Sequence, residues 1–204
     1  EEGFRIAGID LTKKKTVNIR YSIGQERMIR AAIGQFQQMG LTPVIYRAPV
    51  ARINRRLALR PGYTATAANK QYDYDHRMDE AIFLDKAFVE RKVSVLHNAY
   101  EKRKQLAKEY AGPAVVEVFG EKPFEPVNKK EALVLSDKQQ KLSVAMTTES
   151  SQIVNEYIPQ SDYSFTIIAY PLPEIGDNFE EIFRAIVRVN TLDNEAYKQV
   201  QQII

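Results

Sequence analysis

Apolar and polar positions switch period several times along this chain, and each switch marks an element. In TVNIRY, residues 16–21, Val17, Ile19 and Tyr21 alternate with Asn18 and Arg20, the two-residue period of a strand. QERMIRAAIGQFQQMG then places Met28, Ile29, Ala32, Ile33, Phe36 and Met39 at helical spacing, and Gly40 supplies a stop. LTPVIYR follows at once, so residues 16–47 read as a strand, helix, strand unit with parallel strands.

Further along, Asp73 or Asp75 is positioned to cap a long helix reaching Tyr110, with Ile82, Phe83, Val89, Val93, Leu96 and Tyr100 as its apolar stripe. Gly112-Pro113 is expected to end it, and AVVEVF, 114–119, reads as a third strand. Ser136 with Gln139 forms a capping box before a helix carrying Leu142, Met146, Ile153 and Tyr157. The run TTESS, 147–151, is poor helix interior and is expected to bend or break it. SFTIIAY, 164–170, has the apolar, β-branched character of a strand buried on both faces. Asp177 and Glu180 repeat the capping pattern before FEEIFRAIVRV, and a last helix starts near Asp193.

Strands alternating with helices predict an α/β fold: a Rossmann-like, mostly parallel sheet of about four strands flanked by helices. Loops after parallel strands gather at one edge, where open α/β sheets bind ligands. Those loops are 22–25, 47–50, 120–124 and 171–177, and they nominate Ser22, Arg47, Lys122 and Glu174 as substrate-facing residues. Residues 49–74 are less regular: VARINRRLALR suits a short basic helix, whereas PGYTATAANKQYDYD has no period. A long aperiodic stretch of this kind is more often functional than ornamental.

Composition narrows the function classes. The 204 residues carry 29 basic and 26 acidic side chains, a net charge of +3 that gives no nucleic-acid or anionic-membrane signature, so neither is expected as a partner. The absence of cysteine removes disulfides, thiolate catalysis and cysteine-ligated zinc from these residues and fits a reducing cytoplasm. No apolar run approaches 18 residues, and no leader pattern opens the sequence. The first residue is Glu1, and EAYKQVQQII closes on an amphipathic pattern without a stop signal. The expectation is therefore one α/β domain, 1–204, excised from a longer chain.

The densest titratable stretch is YDYDHRMDE, 72–80, in which His76 and Glu80 would share a helix face and offer two ligands to one ion. Two ligands do not complete a site, and helix-front charge accounts for the acids. Gly24 is the lone glycine of the first strand-to-helix turn, too few for a phosphate cradle. No GxSxG elbow or HExxH pair occurs, and His97 falls on the long helix. KKK at 13–15, INRR at 53–56 and the pairs Asp73/Asp75 and Glu180/Glu181 read as solvated or helix-front charge. No catalytic residue and no metal ligand is assigned within the chain.

Four stretches carry a resemblance: TVNIRYSIGQERMIRAAIGQFQQMGLTPVIYR, NKQYDYDHRMDEAIFLDKAFVERK, GPAVVEVFGEKPF and, above all, SFTIIAYPLPEIGDNFEEIFRAIVRVNTLDNEAY. In this order they resemble the amino-terminal half of clostridial-type leucyl aminopeptidases of the thermophilic aminopeptidase T and aminopeptidase S metallopeptidase family. The resemblance implies a parent enzyme that removes amino-terminal residues from peptides, with two divalent ions, zinc or cobalt, activating water and polarising the scissile carbonyl. It places the ligands in a carboxy-terminal domain beyond these residues. For this chain it implies a substrate-enclosing, dimer-supporting role, with peptide substrate, its own carboxy-terminal domain and a second copy as partners. The alternative from the residues themselves is a free-standing Rossmann-like module for an anionic small molecule, with Arg47 and Lys122 supplying charge.

Overall fold

A computed structural model describes residues 2–45, 62–64, 69–191 and 193–201. In chain order these form α1 (Glu2–Ile6), β1 (Thr16–Ser22), α2 (Glu26–Gln38), β2 (Thr42–Val44), β3 (Gly62–Thr64), α3 (Lys70–Asp75), α4 (Lys86–Lys102), α5 (Lys104–Lys108), β4 (Tyr110–Phe119), α6 (Asp137–Tyr157), β5 (Thr166–Pro171), α7 (Phe179–Asn190) and α8 (Asn194–Gln201). Single turns of 3-10 helix intervene, notably at Asp79–Ile82 and Pro173–Ile175.

Among the described residues every strand pairing is parallel, as the alternation of strands and helices predicts. Among them the sheet has four positions. β4 and β1 lie at the centre, β5 forms one edge, and β2 and β3 follow one another along the other side of β1, opposite Thr16–Asn18 and Arg20–Ser22. The chain thus grows outward from β1 in one direction and from β4 in the other, which puts the topological switch between β1 and β4. Among the described residues, no helix is long and apolar enough to cross a membrane.

Alternation in β1 turns Val17 and Ile19 to one face, where they are buried. Ile19 meets Ile29 of α2 and Val116 of β4, with Phe36 and Tyr170 closing around them. Tyr170 in turn meets Phe183 of α7 edge to face, with ring centroids 5.6 Å apart. At the amino ends of the strands, Phe4 of α1 covers Val17, Leu41 and Ala111. A separate cluster of Leu84, Val89, Leu135 and Met146 joins α4 to α6.

Five expectations about elements change. The helix expected over 75–110 is broken into α3, a 3-10 turn, α4 and α5. Asn69 caps α3, and Asp85 caps α4 by accepting the Phe88 N–H at 2.6 Å. Short acidic and amide side chains bind nearby backbone N–H groups and restart helices. Gly112-Pro113 is no helix stop either. It lies inside β4, where the register against β1 slips between Thr16 and Val17, and Gly112 adopts φ +118°. The run TTESS does not interrupt α6. Thr147 Oγ1 donates back to the Ser143 carbonyl at 2.9 Å, while buried Ser143 and Met146 hold the helix from its inner face. Nor is β5 buried on both faces: it is an edge strand, with Ile167 54% exposed and Phe165, just before it, 65% exposed. The capping box at Ser136 and Gln139 forms as expected, and Asp193 caps α8 by accepting the Glu195 and Ala196 N–H groups. Asp177 does not cap α7, whose flanking residue Asn178 makes no side-chain cap bond.

Candidate functional site

The carboxyl edge of a parallel sheet is where strand-end loops converge, and three of the four nominated residues lie at or just beyond strand ends. Ser22 ends β1 half-buried, Lys122 is exposed just beyond β4, and Glu174 is exposed on the 3-10 turn after β5. Arg47 lies outside the described residues. No hydrogen bond or ion pair among the described residues joins Ser22, Lys122 and Glu174 to one another, so they share an edge without forming a catalytic group.

The turn after β1 is held from within. The Ser22 N–H donates to Gln25 Oε1 at 3.2 Å, and the Gly24 N–H donates to both carboxylate oxygens of Glu26 at 3.1 Å. Gly24 reaches φ +104°, a backbone state costly for side chains with a Cβ. Those N–H contacts, with the charge of Arg30, hold the Glu26 carboxyl below its usual range despite its partial desolvation. The first free N–H near the start of α2, where a bound anion would sit in a phosphate-binding turn, is therefore occupied by the chain's own carboxylate. Gln25 is 6% exposed, and among the described residues its Nε2 meets no hydrogen-bond partner; nor do the buried Asn18 Oδ1 and Arg20 Nε on β1.

The ends of β4 and β5 lock together. The Leu172 N–H donates to the Phe119 carbonyl at 2.8 Å, and Gly120, at φ +90°, presses against Ile175 so closely that an added Cβ would lie 2.8 Å from the Ile175 Cβ. Beyond Gly120 the chain runs without regular structure to Leu135. This strap lies on α3. Lys70 pairs with Glu121 at 3.0 Å and donates to the Lys122 carbonyl at 3.1 Å. Gln71 grips the main chain of Val127 in both directions, Nε2 donating to its carbonyl at 2.8 Å and Oε1 accepting its N–H at 2.9 Å. Tyr74 donates to Asn128 Oδ1 at 2.7 Å, and Lys129 pairs with Asp75 at 2.7 Å. The Lys129 hydrogen bond, with that from Gln71, holds the Asp75 carboxyl below its usual range.

His76 and Glu80 do not converge on an ion. His76 ends α3 exposed, its Nδ1 2.8 Å from Asp79 Oδ2 and its ring 4.2 Å from that of Tyr72. Glu80 is turned inward at 3% exposure and accepts from Ser143 Oγ at 3.4 Å. Among the described residues no group of three or more His, Asp or Glu side chains could hold a metal. His97 joins a surface cluster in which Tyr157 donates to Glu101 Oε2 at 2.6 Å and stacks on Tyr100. That hydrogen bond to a carboxylate, with desolvation and the negative charge of Glu101 and Glu156, pushes the Tyr157 phenol up to about 12. Of the acid pair on α7, Glu180 meets Arg184 at 3.2 Å, beside an open depression of about 490 Å³ lined by the same helix face.

The clasp between α3 and the strap was not anticipated from the sequence. Its available signal was complementarity: the acidic YDYD run and the Lys129-Lys130 pair after two prolines, Pro123 and Pro126. No family model, no curated protein and no solved structure matches this chain.

Proposed function

We propose that the chain is the amino-terminal, substrate-enclosing and dimer-supporting domain of a metal-dependent aminopeptidase, a hydrolase that removes amino-terminal residues from peptides. One observation carries the reading: the phrase from Phe165 to Glu195, which resembles that family, spans a continuous strand, turn and helix unit. β5 runs into the Pro173–Ile175 turn, Ile175 closes on Gly120, and Phe183 of α7 returns onto Tyr170. In this reading the two divalent ions, zinc or cobalt, are held by a carboxy-terminal domain, and the edge loops bearing Ser22, Arg47, Lys122 and Glu174 help wall the peptide in. The proposed setting is the cytoplasm. A free-standing anion-binding module is the weaker reading, because an anion at the start of α2 would have to displace Glu26 from the Gly24 N–H.

The test is to express the 204 residues and the complete reading frame that contains them, and to assay both on a leucyl chromogenic amide with and without a chelator. The short chain is expected to be silent and the long one to show chelator-sensitive turnover. Turnover by the 204 residues alone, or a long chain inactive with every divalent ion tried, rejects the proposal.

A further inference from the structure

The strap after β4 is fixed in an unusual way. Its ends are anchored firmly: Gly120 is wedged against Ile175, and Leu135 is buried between α4 and α6. Between these anchors none of residues 121–134 is buried, and Phe124, Val127 and Val134 keep substantial exposure. Among the described residues, the side-chain bonds that hold this span to α3 are polar and peripheral and fall within 121–129: the Lys70–Glu121 and Lys129–Asp75 ion pairs, with Gln71 on the Val127 main chain and Tyr74 on Asn128 between them. Solvent-exposed ion pairs contribute little and weaken with salt. Without apolar burial, such a segment opens at far lower free energy than the fold as a whole. Its catch behaves differently, since Asp73 of α3 is buried and Asn69 caps that helix.

We propose that residues 121–134 are a latched flap at the carboxyl edge of the sheet, released from α3 as a unit and hinged at Gly120 and Leu135, while α3 and the sheet remain folded. Release bares on α3 a carboxamide that reads main-chain N–H and C=O together, flanked by an ammonium group at one end and a carboxylate at the other. That surface suits an extended peptide carrying an acidic residue ahead of a basic one, the pattern the flap itself presents through Glu121 and Lys129. The inference stands on the clasp geometry and does not depend on the enzyme reading.

Amide hydrogen exchange on the whole chain tests it. In the wild type, amides over 121–134 should exchange faster than those of β4 and β5, and faster still at 0.5–1 M salt than at low salt, concentrations set by the order of the screening length. Gln71→Ala should speed exchange at Val127 and its neighbours about tenfold, the scale of losing one or two net hydrogen bonds, with β4 and β5 amides unchanged. Asp75→Lys should do the same for residues near Lys129, and adding Lys129→Glu should restore the wild-type rate. The proposal is overturned by flap protection equal to that of β4, by no response to Gln71→Ala, or by acceleration that spreads equally through the sheet.

Discussion

Gly112→Ala tests the central bulge. Gly112 sits where β4 slips register against β1, at φ +118°, a conformation in which a non-glycine residue costs about 1–3 kcal/mol. Sterics add to this. A Cβ there would lie 1.7 Å from the Ser164 carbonyl oxygen, so the entry to β5 would have to retreat by 1.3 Å merely to reach a 3.0 Å contact. The opposing atom is backbone and cannot rotate away, and the retreat also strains the hydrogen bond from the Ser164 N–H to the Ala111 carbonyl. Adding about 1 kcal/mol for that bond gives a loss of about 2–4 kcal/mol before any cost of the clash itself, or about 4–16 °C in melting temperature for a chain of this size. Gly34→Ala is the matched control: Gly34 lies within α2 and an added Cβ meets nothing within 4 Å, so the same methyl should stabilise by about 0.5–1 kcal/mol. Urea and thermal unfolding of the two variants should move in opposite directions. A Gly112→Ala protein within 1 kcal/mol of the wild type, a margin set by the size of ordinary mutational effects, would show that the bulge is not needed.

Ser136→Ala removes the capping box of α6 and should cost about 1 kcal/mol, seen as a lower urea midpoint with an unchanged slope. Acid should destabilise the chain. Folding lowers the carboxyls of Glu26, Asp75 and Glu109 through, respectively, the Gly24 N–H, Lys129 and Lys15, from ordinary values of 4.5, 3.8 and 4.5. Their contribution is therefore complete above those values and is lost as pH falls through the lower folded ones; urea midpoints at pH 7, 4 and 3 should decline in that order, and a flat profile refutes the assignment. Ile167→Lys places charge on the open edge strand, where no residue from Tyr163 to Pro173 is charged; light scattering should show less association at high concentration, with little change in melting temperature.

Much of the fold was legible because its signals are local. The alternation in 16–21 and the stripe from Met28 to Met39 gave β1 and α2, and Ser136 with Gln139 gave the start of α6. What escaped reading depends on partners distant in sequence. Gly112-Pro113 looks like a stop signal until Ser164 is seen lying across it, and SFTIIAY reads as a central strand although, among the described residues, β4 alone pairs with it. At the candidate site, the parallel topology puts Ser22 at the end of β1 and Lys122 and Glu174 in the segments that follow β4 and β5. The role of Asp75 was misassigned, because its partner Lys129 is 54 residues away and no local period announces the pair.

The central pairing of β1 with β4 joins residues far apart in synthesis: Lys15 meets Glu109 across a separation of 94. At ribosomal rates this interval takes roughly 5 to 20 s. β1, α2 and β2 can associate early, because all three lie within residues 16–44. The other hydrogen-bonding edge of β1 must then wait, unpaired, until β4 emerges. During translation that edge is the natural place for a chaperone to bind, and pausing between residues 45 and 109 should raise misfolding more than pausing after Phe119, when the central pair has closed.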